Sequence, residues 1–150
     1  MVNRKACLLW ERTGRWARQL RLTRPEVERV VRQVRVWSEV ERLLEEDSRR
    51  LVLVSLERDF SPRQCHARLA SAALAKRRWP QCRIGFLLDP EAGGWRFACE
   101  ELDASLLARG LADCRQLADR IVRFADTSAE VEQSARRDPR DTIRERLPWA

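Results

Sequence analysis

The chain has 150 residues, of which 44% are hydrophobic and 35% charged, and a formal net charge of +7. That length and apolar content suit one folded domain with a real core and exclude a largely disordered chain. No apolar run approaches the ~20 residues that span a bilayer, and the apolar stretch Ala6 to Trp10 is too short for a signal peptide; the expected location is the cytoplasm, with no membrane partner.

Ala6 to Trp10 is a short continuous apolar run and reads as a buried strand that ends in Glu11-Arg12-Thr13-Gly14. Trp16, Ala17 and Leu20 then recur at helical spacing. Pro25 disfavours helix at Arg24 and breaks that element. Val27, Val30, Val31 and Val34 fit a helical face, yet their β-branching also suits a strand; the reading is a short helix from Pro25 and a strand around Val34 to Trp37. Ser38 with Glu41 three residues on has the form of a capping box, and Val40, Leu43 and Leu44 give the helix after it an apolar face.

Leu51 to Leu56 is apolar on both faces, the pattern of a central parallel strand covered by helices on each side. Ser61-Pro62 opens the next helix, cap then proline, with Cys65, Leu69, Ala72 and Ala73 as its inner face and Trp79-Pro80 as its stop. Arg83 to Leu88 is a strand terminated by Asp89-Pro90. A turn at Gly93-Gly94 and a short helix around Phe97 to Leu102 follow, then a strand over Ala104 to Ala108 ending at Arg109-Gly110. Cys114, Leu117, Ala118, Ile121, Val122 and Ala125 define a final amphipathic helix. The apolar period fades after Thr127, so residues 1–127 read as the domain and 128–150 as a charged, mobile tail, in which Ile143 to Trp149 regains apolar character.

Strands alternating with helices at this spacing predict an α/β fold, a three-layer sandwich in which a five-stranded parallel sheet carries helices on both faces. In such sheets the functional crevice lies past the carboxyl ends of the strands. There is no glycine-rich phosphate loop after the first strand, no G-x-x-x-x-G-K-[ST] and no G-x-S-x-G. Cys7, Cys65, Cys82, Cys99 and Cys114 include no C-x-x-C pair and sit in apolar settings, so they read as buried reduced thiols. His66 is the only histidine, too few for a histidine metal site. No metal and no cofactor are expected.

From Lys5 to Asp126 the element order, and phrases such as Arg50-Leu51-Val52-Leu53-Val54-Ser55-Leu56-Glu57, resemble the receiver domain of bacterial response regulators, a flavodoxin-like fold. The resemblance implies a pocket at the strand ends with an acidic pair after the first strand, a phosphoaccepting aspartate at the end of the third, Ser or Thr ending the fourth, and Lys ending the fifth. Here those places read Glu11 with Arg12, then Ser55 with Glu57 beyond it, then Leu88 followed by Asp89, then Arg109 followed by Gly110; the aromatic switch position is Leu106. An acyl phosphate needs a carboxylate nucleophile and a metal held by neighbouring acids, so the resemblance implies a degenerate receiver that is not phosphorylated by the usual route.

The leading expectation is therefore a non-catalytic signalling or protein–protein interaction module, not an enzyme, whose partner is another protein or a second copy. Its contact face, by the same resemblance, comprises Leu106, Arg109, Arg115, Asp119, Arg120 and Arg123. The alternative is nucleic-acid binding: only Lys5 and Lys76 of the 30 basic residues are lysines, and Lys76, Arg77 and Arg78 form the densest basic cluster, with Arg136, Arg137 and Arg140 as a further arm. An enzyme using Glu11, Glu57, Asp89 and Arg109 is the third reading, for which nothing supplies an activated nucleophile.

Overall fold

A strand as apolar on both faces as Leu51 to Leu56 must be covered above, below and on both edges. The computed structural model, which describes residues 5–136, meets that demand. Its strands are β1 (Cys7–Trp10), β2 (Val31–Val34), β3 (Leu51–Leu56), β4 (Arg83–Leu88) and β5 (Leu106–Arg109). Its helices are α1 (Arg15–Thr23), α2 (Val27–Val30), α3 (Trp37–Glu46), α4 (Pro62–Arg78), α5 (Arg96–Glu101) and α6 (Cys114–Arg136). All five strands are parallel, in the order β2-β1-β3-β4-β5, with β3 at the centre and all six of its residues buried. This is the three-layer, flavodoxin-like α/β sandwich.

The period-2 alternation divides each strand between two cores. Leu8, Val52, Val54, Leu56, Ile84, Phe86 and Leu88 face the layer of α3, α4 and α5. Cys7, Leu9, Leu51, Leu53, Leu87 and Ala108 face α1, α2 and α6. Gly85 is required where β4 passes its neighbours: a Cβ there would lie 2.7 Å from Leu53 Cδ2 and 3.2 Å from Leu106 Cβ. All five cysteines are free and buried.

Four elements differ from the expected layout. β2 lies at Val31–Val34 rather than Val34 to Trp37, because Trp37 already begins α3. The N-cap of α3 is Val36, with no side-chain cap bond; Ser38 is inside the first turn, and Glu41 pairs with Arg78 instead of reaching back. β5 begins two residues later than expected and ends one later, at Leu106–Arg109. Finally α6 continues through Arg136, past Thr127: Ala, Glu and Gln favour helix without burial, so loss of the apolar period does not end the helix. The capping box of α4 is formed, Ser61 Oγ accepting from the Gln64 amide at 3.2 Å and Gln64 Oε1 from the Ser61 amide at 2.8 Å. Its buried face is Cys65, Arg68, Leu69, Ala72 and Ala75, with Ala73 only partly buried. Arg137, Arg140 and Ile143 to Trp149 lie outside the described residues.

Candidate functional site: the strand-end crevice

The strand register brings Glu11, Ser55, Glu57 and Asp89 to one rim, directly after β1, at the end of β3 and directly after β4. All four are buried. Each carboxylate is held by donors that the local chain geometry supplies.

Gly14, at φ +82°, turns the chain into α1 in a left-handed conformation that a side chain would strain. The turn aims the first free amides of α1 back at the end of β1. Trp16 N–H donates to Glu11 Oε2 at 3.0 Å and Ala17 N–H to Oε1 at 2.8 Å. Glu11 thus caps α1, which has no side-chain cap of its own. Burial pushes the Glu11 carboxyl above its usual range, the two amides pull it down, and the charges of Glu57 and Asp89 push it up again; the net shift is upward.

Glu57 is more completely engaged. Its Oε1 accepts from the Thr13 amide at 3.0 Å and the Thr13 hydroxyl at 2.6 Å. Its Oε2 accepts from the Arg12 amide at 2.9 Å and lies 3.0 Å from Ser55 Oγ. Two oxygens with about four lone-pair sites therefore face four donors. Burial alone would raise this carboxyl, but the Thr13, Arg12 and Ser55 hydrogen bonds outweigh it and hold Glu57 below its usual range. Asp89 Oδ2 accepts from the Arg58 amide at 2.9 Å and from Arg15 Nη1 at 3.3 Å.

A residue absent from the expected site completes it. Arg68, on α4, is only 8% exposed. Its Nη1 donates to the carbonyls of Trp10 at 2.8 Å and Ser55 at 3.2 Å, and lies 3.3 Å from Ser55 Oγ. Its guanidinium stacks over the Trp10 ring at 4.0 Å and the Phe60 ring at 4.6 Å. Burial lowers its pKa to about 10 while Glu57 and Glu11 support its charge, so it stays protonated at neutral pH. The signal that finds it is positional: residues 65, 68, 69, 72 and 75 follow the i, i+3, i+4, i+7 rule, and Arg68 falls inside the stripe.

The Ser55 hydroxyl has one proton and two acceptors in reach, the Trp10 carbonyl at 3.1 Å and Glu57. Glu57, with its pKa lowered by hydrogen bonds, is a weak base for that proton. Arg12 pairs with Asp59 and lies over Phe60, covering the rim. Among the described residues no three His, Cys, Asp or Glu side chains converge as a metal-ligand set. The thiols are equally unsuited to attack: burial raises all five, Cys82 and Cys99 to about 12 and Cys114 to about 11.

The remaining expected site residues do not join this cluster. Leu88 points into the apolar core, and Arg109 is exposed on the edge strand, its amide donating to Asp113 Oδ2 at 2.7 Å. Leu106 is buried against the other core. Arg115, Arg120 and Arg123 are exposed on α6, while Asp119 pairs with Arg24 at 2.9 Å. In the basic cluster, Lys76 Nζ donates to the carbonyls of Leu102 and Asp103 at 2.8 and 2.9 Å. Arg78 pairs with Glu41 and Glu45 and stacks on Trp79, which leaves Arg77 exposed without an ion pair among the described residues. No helix among the described residues is long and apolar enough to cross a membrane. No protein-family model and no curated protein matches the chain.

Proposed function

We propose that the chain is a receiver-like binding module that acts by presenting a surface to another protein, or to a second copy of itself, and performs no phosphoryl chemistry in its crevice. The observation that carries the reading is the saturation of Glu57. The carboxylate nearest the expected phosphoacceptor position already faces four donors, and Ser55 stands where the aspartate would be. Arg68 occupies the space between the ends of β1 and β3 with a fixed positive charge, which disfavours a divalent cation there. The nucleic-acid reading loses support because Lys76 and Arg78 are already engaged within the fold.

The test is intact-mass spectrometry after incubation with acetyl phosphate and magnesium. No mass gain is expected; a stable phosphoryl adduct on Ser55, Glu57 or Asp89 overturns the proposal. The binding half is tested by light scattering across concentration on the parent protein and an Arg109→Glu, Arg115→Glu variant. Reversible self-association weakened in the variant supports the exposed β5–α6 surface. A parent monomeric at every concentration refutes self-association and leaves another protein as the partner to be found.

A further inference from the structure

At the opposite end of the sheet from the crevice lies a groove of about 810 Å³, within the range of small-molecule sites. It opens where β3, β4 and β5 begin and is walled on one side by the middle of α6. Four arginines line it, Arg49, Arg83, Arg120 and Arg123, and among the described residues no carboxylate does. They come from three places in the chain: the turn before β3, the first residue of β4, and α6. Arg83, Arg120 and Arg123 have no ion pair among the described residues. Like charges brought together in a concavity repel one another, so the arrangement costs stability until an anion enters.

The walls are not uniformly polar. Phe124 follows Arg123, packs on the core from its other side and stays partly exposed in the groove, beside Leu51 and Leu106. Ser105 and Thr127 add hydroxyls. One concavity therefore combines forked cations suited to phosphate oxygens, an aromatic ring and hydroxyl groups. The three guanidinium groups without an ion pair among the described residues, Arg83, Arg120 and Arg123, suit the three to four negative charges of a nucleoside di- or triphosphate.

We propose that this groove binds a free nucleoside di- or triphosphate, with the phosphates on Arg83, Arg120 and Arg123 and the base against Phe124. The site is independent of the crevice and stands or falls separately from the inertness argued above.

The experiment is calorimetric titration of the intact chain with ATP, with inorganic tripolyphosphate, and with a twelve-nucleotide single-stranded RNA, at low salt and again at raised salt. Three variants accompany it: Arg120→Glu with Arg123→Glu, Phe124→Leu, and Arg63→Glu as a charge control on exposed α4 at the other end of the sheet. Circular dichroism establishes that each is folded. The proposal expects saturable, salt-sensitive ATP binding that falls at least tenfold in the α6 double variant and is unchanged in Arg63→Glu. Phe124→Leu should weaken ATP and leave tripolyphosphate unaffected. It is overturned if ATP does not bind, if the double variant binds as well as the parent, or if tripolyphosphate matches ATP, which would make this an anion site without base recognition. RNA bound a hundredfold tighter than ATP also overturns it, in favour of a nucleic-acid surface.

Discussion

Replacing Glu57 by glutamine keeps its shape and removes its charge. The carboxylate meets four donors with two acceptor oxygens; a carboxamide has one oxygen and brings two donors of its own. Placed to keep both Thr13 bonds, it turns its NH2 toward the Arg12 amide and the Ser55 hydroxyl. Ser55 can escape by donating to the Trp10 carbonyl, 3.1 Å away. The Arg12 amide cannot, and a stranded donor costs ~1–3 kcal/mol. The surviving bonds lose their charge assistance, and Arg68 loses the carboxylate that most supports its charge, so the expected total is about 3 kcal/mol at pH 7. With a urea m-value of ~2 kcal/mol/M, the unfolding midpoint should drop by roughly 1.5 M. The pH dependence has a definite sign. Because the folded-state pKa of Glu57 is lowered from 4.5, its contribution is present above the unfolded pKa and lost as pH falls through the folded one. The gap between parent and variant must therefore narrow on acidification. A loss under ~1 kcal/mol at pH 7, or a gap that stays constant down to acid unfolding, would refute the reasoning.

Glu11 should behave in the opposite sense. Its folded-state pKa is raised, so ionising it costs stability as pH rises through that value, and Glu11→Gln should gain on the parent in thermal melts with rising pH; parallel curves contradict this. Arg68→Met removes a buried charge from between two carbonyls and two aromatic rings and should cost about 3 kcal/mol in urea unfolding, with a change in tryptophan emission as Trp10 loses its overlying cation; a neutral result would mean the network contributes no net stability. Gly85→Ala forces a methyl group to within 2.7 Å of Leu53 Cδ2 and should lower stability by ~1–3 kcal/mol, whereas a stabilised variant would show that the central strands have slack.

The sheet was legible because its strongest signals are physical necessities. Leu51–Leu56 cannot bury both faces anywhere but mid-sheet, and Arg83–Leu88 is bounded by Trp79-Pro80 before it and Asp89-Pro90 after it. Expectation and structure part where one residue serves two patterns. Val34 to Trp37 is as apolar as a strand, yet Trp37 packs beside Trp10, ring centroids 4.8 Å apart, as the first residue of a helix. Glu11, Ser55, Glu57 and Asp89 were reachable from the rule that sites lie past strand ends. How the fold engages their carboxylates was not, because most of the donors are backbone amides, of Arg12, Thr13, Trp16, Ala17 and Arg58, whose direction depends on the turn at Gly14 and on the chain after β3. Arg68 is hard to read as a site residue because a charged residue on a helix is usually solvated; its place within the apolar stripe of α4 is the clue the sequence offers.

The most direct measurement is a magnesium titration followed by ¹H–¹⁵N correlation spectroscopy, read at the four amides of Arg12, Thr13, Trp16 and Ala17 that grip Glu57 and Glu11. If these carboxylates are already spoken for, the four resonances stay in place into the millimolar range. A saturable shift of all four together would mean the acids release their amides for a metal ion, and the crevice would have to be treated as a reactive site.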